Sequence, residues 1–230
     1  MLVHGGGHGA WCWQPLLREL EAEASAVDLP PVSIRGGAGR NHAPPGTEEL
    51  HLADWADAVI AGADAAGFDR FVLVGHSLGG LTVCEVARRM PARVAHVVLV
   101  SALVPEEGTT AVDAMPKDDR LAAGLTDDVV REMFCSDMDD EQTRFVLDHV
   151  GTDVAQIMTE PVTRAGLPAS LPVTYVRLGL DQALSPDTQD ACIERLREIA
   201  EVAVVRLDAG HDVMISRPKQ LALVLDEIAG

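Results

Sequence analysis

Four stretches of this chain are apolar almost without interruption: residues 71–74 (FVLV), 94–100 (VAHVVLV), 173–178 (VTYVRL) and 202–207 (VAVVRL). A strand with one wet face alternates polar and apolar residues. A run of Val and Leu on both faces needs cover on both sides, and that is a strand of a parallel sheet in an α/β fold. Shorter runs at 2–3 and 26–29 add two strands. Helical apolar spacing falls between the runs, at 11–21, 50–60, 81–90, 186–199 and 218–228. The expectation is a mostly parallel, doubly wound sheet of about six strands.

The punctuation agrees with this order. Pro30-Pro31 stops the second strand, and residues 32–45 are rich in Gly, Pro and Asn, which reads as a long loop. Thr47 begins T-x-E-E-L, the pattern of a capped helix start. From 102 to 168 the character changes. Acidic helical segments at 127–134 and 139–149 carry Met133, Phe134, Met138, Phe145 and Met158, and no strand pattern occurs. This segment is expected to be a small helical lid inserted after the fourth strand, within one domain spanning 1–230.

Composition narrows the function. The formal net charge is -18, with only 18 Lys and Arg, so a phosphate backbone is a poor partner and nucleic acid is not expected. No apolar run is long enough to cross a membrane. The start, MLVHGGGHG, lacks the basic and apolar regions of a signal peptide. Cys12, Cys84, Cys135 and Cys192 are scattered, without the spacing of a zinc site. They read as ordinary buried thiols of a cytoplasmic protein, and no metal is expected. The chain is read as a monomer or homodimer.

Chemistry gathers at strand ends. Gly75-His76-Ser77-Leu78-Gly79 fits G-x-S-x-G where a buried strand meets a helix. A serine on such a turn is held in strained dihedrals with its hydroxyl raised above the sheet, so Ser77 is the candidate nucleophile. It needs a base. His211 follows the last strand, where doubly wound sheets place their sites. His76, His51, His149 and His96 are less suitable, since they point away or sit in helices, the lid or a strand. The base needs an acid to hold its tautomer. Asp181 follows the fifth strand and completes the chain order Ser, Asp, His; Glu106 and Asp208 remain alternatives. The loop His4-Gly5-Gly6-Gly7-His8 lets backbone N–H groups approach a ligand. It lacks the lysine and hydroxyl of a phosphate loop and the spacing of a dinucleotide fingerprint, so no cofactor is expected. The N–H groups of Gly6 and Leu78 are the candidate oxyanion hole. His4 and His8 are expected to brace the loop, and Trp11 and Trp13 to pack the following helix.

These residues resemble the α/β-hydrolase superfamily, and more narrowly its branch of hydroxynitrile lyases, plant methyl esterases and related bacterial esterases. VHGGGHGAWCWQPLLREL, GHSLGG and LDAGHDVMISRPKQL carry the resemblance, which covers nearly the whole chain and is least clear in the lid. It implies an α/β-hydrolase fold, a triad at Ser77, Asp181 and His211, and oxyanion donors at Gly6 and Leu78. Two positions depart from the lyases, which have threonine where Gly5 stands and lysine where Asp212 stands. An acid at 212 would repel cyanide. The resemblance therefore implies a serine esterase acting through an acyl-enzyme on a small to medium apolar ester. A lactonase, an amidase or a biosynthetic hydrolase is the next reading, and a ligand-binding protein on the same fold the last.

Overall fold

Six parallel strands form one sheet in the order β2-β1-β3-β4-β5-β6 in a computed structural model that describes residues 1–30, 49–115, 117–118, 120, 124–151, 155–163 and 168–230. The strands are β1 (Leu2–Val3), β2 (Ala26–Val27), β3 (Phe71–His76), β4 (Val94–Val100), β5 (Val173–Leu178) and β6 (Val202–Leu207). The chain runs outward from β1 to β2, returns to β3 on the other side of β1, and continues to β6. That reversal puts the ends of β1 and β3 side by side, where a doubly wound sheet opens a crevice.

The unbroken Val/Leu runs are explained by two separate cores. Leu73, Val97, Leu99, Val173 and Tyr175 pack on one face, while Val74, Val98, Val100, Val176 and Leu178 pack on the other. Successive residues of one strand point to opposite faces, so both must be apolar. The first core is covered by α2 (Leu52–Ala65), α3 (Gly79–Arg89) and α8 (Pro186–Arg197). The second lies under α1 (Gln14–Leu17), α9 (Val213–Ser216) and α10 (Pro218–Ala229). The edge strand β6 is only partly buried and places Arg206 outward, as edges commonly do.

Between β4 and β5 stand α4 (Ala111–Ala114), α5 (Asp127–Phe134), α6 (Asp140–His149) and α7 (Ala155–Thr159). Thr126 caps α5 by accepting from the Val129 N–H, and Asp139 caps α6 by accepting from the N–H groups of Glu141 and Gln142. Val130, Met133, Phe134, Val146 and Leu147 join the second core. No helix among the described residues is long and apolar enough to cross a membrane.

Three boundaries differ from the sequence expectation. The helix expected over 11–21 is a 3-10 turn at Ala10–Trp13 followed by the short α1. The chain leaves the helix because the Glu21 and Ala22 N–H groups bond to the Asp226 carboxylate of α10 at 3.1 and 3.0 Å. Helix α2 starts at Leu52, with the His51 N–H on Asp54 Oδ2 at 2.8 Å. Glu160, distant in sequence, accepts from the Leu52 N–H at 2.9 Å. The expected Thr47 cap and the 32–45 loop lie outside the described residues. The helix expected from Leu81 begins two residues earlier, at Gly79, because the turn before it is tighter than the pattern conveys.

Candidate active site

Ser77 has φ 52°, a left-handed conformation that costs a non-glycine residue on the order of 1–3 kcal/mol. The surroundings hold it there. Its N–H donates to the Val100 carbonyl at 3.2 Å, and its own carbonyl accepts from Gly80 and Leu103 at 3.1 and 2.9 Å. The elbow is thus tied to the end of β4 and the chain beyond it. A Cβ on Gly79 would lie 2.6 Å from the His4 carbonyl oxygen, so glycine there lets α3 start against the end of β1.

Asp181 and His211 come together. His211 Nδ1 donates to Asp181 Oδ2 at 2.7 Å, and both residues are only 2% exposed. The other two sequence candidates for the acid are elsewhere: Glu106 is exposed near Arg195, and Asp208 is exposed after β6. Asp181 has four donors. Oδ1 accepts from the Ala183 and Leu184 N–H groups at 2.8 Å each, and Oδ2 also accepts from Ser101 Oγ at 2.6 Å. Burial alone would raise this carboxyl. The charge of His211 and these hydrogen bonds outweigh burial and hold it below the usual carboxylate range. Gln189 supports the same loop from inside, bonding Leu178 on both backbone groups and the Leu184 carbonyl.

His211 lies beside His76, the residue before Ser77, with ring centroids 4.5 Å apart. The His76 Nε2–H donates to the His211 carbonyl at 3.0 Å, which fixes the backbone that carries the candidate base. Burial, with His211 and His8 nearby, pushes His76 well below its ordinary range and keeps it neutral. Phe134 of α5 stacks on His211 at 5.5 Å. No hydrogen bond among the described residues joins Ser77 Oγ to His211.

The carbonyls of Gly5, Gly6 and Gly7 are all held. His4 Nδ1–H donates to Gly5 O at 2.8 Å while His4 Nε2 accepts from the Leu29 N–H, so the imidazole is neutral with both nitrogens occupied. Burial pushes its pKa down to about 4. His8 Nδ1–H donates to Gly6 O at 2.7 Å, and Gly7 O accepts from the Gly151 N–H at 2.7 Å. The C=O and N–H of a trans peptide point in opposite directions, so fixing the Gly5 carbonyl also aims the Gly6 N–H. Neither the Gly6 nor the Leu78 N–H donates to a backbone carbonyl among the described residues. A Cβ on Gly5 would stand 2.7 Å from Ser77 Cβ, so this backbone has no room for the threonine of the lyases.

Asp212 is fully buried, with Oδ2 on His8 Nε2 at 2.9 Å. Position 212 supplies no cation. His76, His211 and Asp212 present polar atoms within 4.8 Å of one another, but each already bonds a protein partner.

Two contributors escaped the sequence reading. Ser101 directly follows β4, with φ 39°, fully buried and bonded to Asp181. Its one sequence signal is a serine at the carboxyl end of the strand between those carrying Ser77 and Asp181. The His8–Asp212 bond spans 204 positions and had none.

A family model described as the alpha/beta hydrolase family matches residues 1–223. The probable esterase PIR7A of Oryza sativa subsp. indica is 39% identical over 111 residues, 47% of this chain and 40% of that protein, so the matched stretch spans less than half of that relative. Methylesterase 7 of Arabidopsis thaliana is 27% identical over 269 residues, covering 100% of this chain and 95% of that protein. Among solved structures, an extracellular alpha/beta-hydrolase from a Paenibacillus species aligns with a TM-score of 0.80 at 18% identity, covering 99% of this chain and 97% of the other. Methylesterase MES16 from Arabidopsis aligns at 0.74 and 20%, with the same coverage. At such identities the structural likeness is one of fold.

Proposed function

This chain belongs to the alpha/beta hydrolase family, and we propose that within it the protein is a serine carboxylic ester hydrolase. The observation that carries the reading is the 2.7 Å bond between His211 Nδ1 and Asp181 Oδ2, at the same end of the sheet as a serine with φ 52°. With Nδ1 committed to the aspartate, His211 Nε2 is left as the basic nitrogen. Ser77 Oγ attacks the ester carbonyl carbon and its proton passes to Nε2. The Gly6 and Leu78 N–H groups hold the oxyanion. The bond to the alcohol oxygen then breaks and His211 returns the proton to it. Water, deprotonated by His211, attacks the acyl-enzyme and releases the acid.

The names of the relatives, esterase and methylesterase, favour a small carboxylic ester. The segment from β4 to β5 is the cap in this reading, and Phe134 against His211 keeps bulk water from the base. The buried thiols, with no disulfide among the described residues, fit a cytoplasmic location. Lactone or amide hydrolysis would use the same machinery. Cyanohydrin cleavage ranks lower because Gly5 excludes a threonine and position 212 offers no cation.

The test is labelling with a fluorophosphonate, together with a series of p-nitrophenyl and methyl esters of graded size. Wild type should be labelled on Ser77 and turn over at least one small ester. Ser77→Ala should lose the label and about 10⁴-fold or more in kcat. A folded wild type that takes no label would refute the nucleophile.

A further inference from the structure

The His8–Asp212 bond lies outside the triad, yet it joins the glycine loop to the loop that carries His211. Asp212 is the residue after the base, on the loop beyond β6. His8 closes the glycine loop beyond β1. Both are buried, at 4% and 0% exposure, and their side chains meet at 2.9 Å. The other His8 nitrogen faces the Gly6 carbonyl, which can only accept, so Nδ1 carries a proton. Nε2 and Asp212 Oδ2 must then share one proton more, as imidazolium with carboxylate or as imidazole with carboxylic acid. Either arrangement leaves the pair neutral overall, which lets it persist without water.

The mechanical consequence falls on Gly6. His4 fixes the peptide before it through Gly5 O, and His8 fixes the peptide after it through Gly6 O. His4 is held by a backbone N–H of the chain after β2, whereas His8 is held by the histidine loop. We propose that Asp212, acting through His8, is a positioning residue that locks the oxyanion-hole loop to the loop carrying the catalytic base. This inference rests on the ester-hydrolase reading for its kinetic consequence, though not for the lock itself. Donors aimed at the oxyanion stabilise the transition state far more than bound substrate. Loosening the lock should therefore lower kcat and leave KM nearly unchanged.

The experiment compares Asp212→Ala, Asp212→Asn, His8→Ala and the double alanine variant. It measures kcat and KM on the best ester, folding by circular dichroism, and ¹⁵N spectra of the histidine rings with amide exchange over residues 4–9. Asp212→Ala is expected to lose roughly 30- to 100-fold in kcat, with KM within about threefold. Asp212→Asn should recover most of that loss, because its amide N–H can donate to a neutral His8 Nε2. The double variant should be no worse than the worse single variant, as for two parts of one unit. The His8 ring signals should move in Asp212→Asn, and the loop amides should exchange faster in Asp212→Ala.

A folded Asp212→Ala with wild-type kcat, or multiplying losses in the double variant, overturns the proposal. If the alanine variants do not fold, unmoved His8 signals in Asp212→Asn overturn it instead. If wild type turns over no ester but the ring signals and exchange respond as stated, the lock stands and the ester-hydrolase reading falls.

Discussion

At the scale of single residues, the site concentrates backbone strain in two serines. Ser77 and Ser101 are the non-glycine residues with positive φ among those described, at 52° and 39°. One was legible in the sequence, since G-x-S-x-G at a strand end is a local pattern. The other was not, because nothing near Ser101 shows that its hydroxyl reaches Asp181, 80 positions away. Ser101 allows strain and hydrogen bonding to be separated. Ser101→Ala loses the hydroxyl and keeps a Cβ at a left-handed position, while Ser101→Gly loses the hydroxyl and relieves the backbone. The glycine variant should be the more stable by about 1 kcal/mol in urea denaturation. Both should turn over more slowly than wild type, since Asp181 is left with three of its four donors. Higher stability for the alanine variant would show that the φ of 39° carries no strain.

At the scale of elements, the strands were the most legible part of the chain. The runs at 94–100, 173–178 and 202–207 coincide with β4, β5 and β6, because burial on two faces leaves an unmistakable record. Helix ends were less legible where tertiary partners supply the caps, as Glu160 does for α2 and Asp226 does for the chain after α1. Helix α3 shows local preference and packing in direct opposition. Helix propensity says that Gly79→Ala should stabilise by about 1 kcal/mol. The backbone of β1 says the reverse, since the new Cβ would meet the His4 and Val3 carbonyl oxygens at 2.6 and 2.9 Å. A loss of about 2–3 kcal/mol, seen as a lower urea midpoint, is expected, with the elbow displaced and turnover reduced. A stabilised variant would mean that α3 does not start against β1.

At the scale of the whole molecule, the switch from β2 back to β3 gathers buried histidines under one end of the sheet, and the neutrality of His4 and His76 makes stability depend on pH. His4 titrates at about 4 in the folded chain and His76 well below its ordinary value, whereas both titrate near 6.5 when unfolded. Between those limits the unfolded chain binds protons that the folded chain refuses. The stabilisation is therefore complete above about pH 6.5 and is lost as pH falls toward 4, with His4 alone accounting for about 3 kcal/mol. Urea midpoints at pH 7, 5.5 and 4.5 should fall steadily, and a flat profile would contradict neutral burial. The sequence alone determined the strands, the turn of the candidate nucleophile, the glycine loop and the candidate base, because each is written in a short contiguous pattern. Tertiary structure decided which of three acids holds His211, what supports that acid, and how the glycine loop is anchored. Those contacts join residues 30, 80 and 204 positions apart. They depend on which strands lie side by side, and the periodicity of a strand records how it is buried but not who its neighbour is.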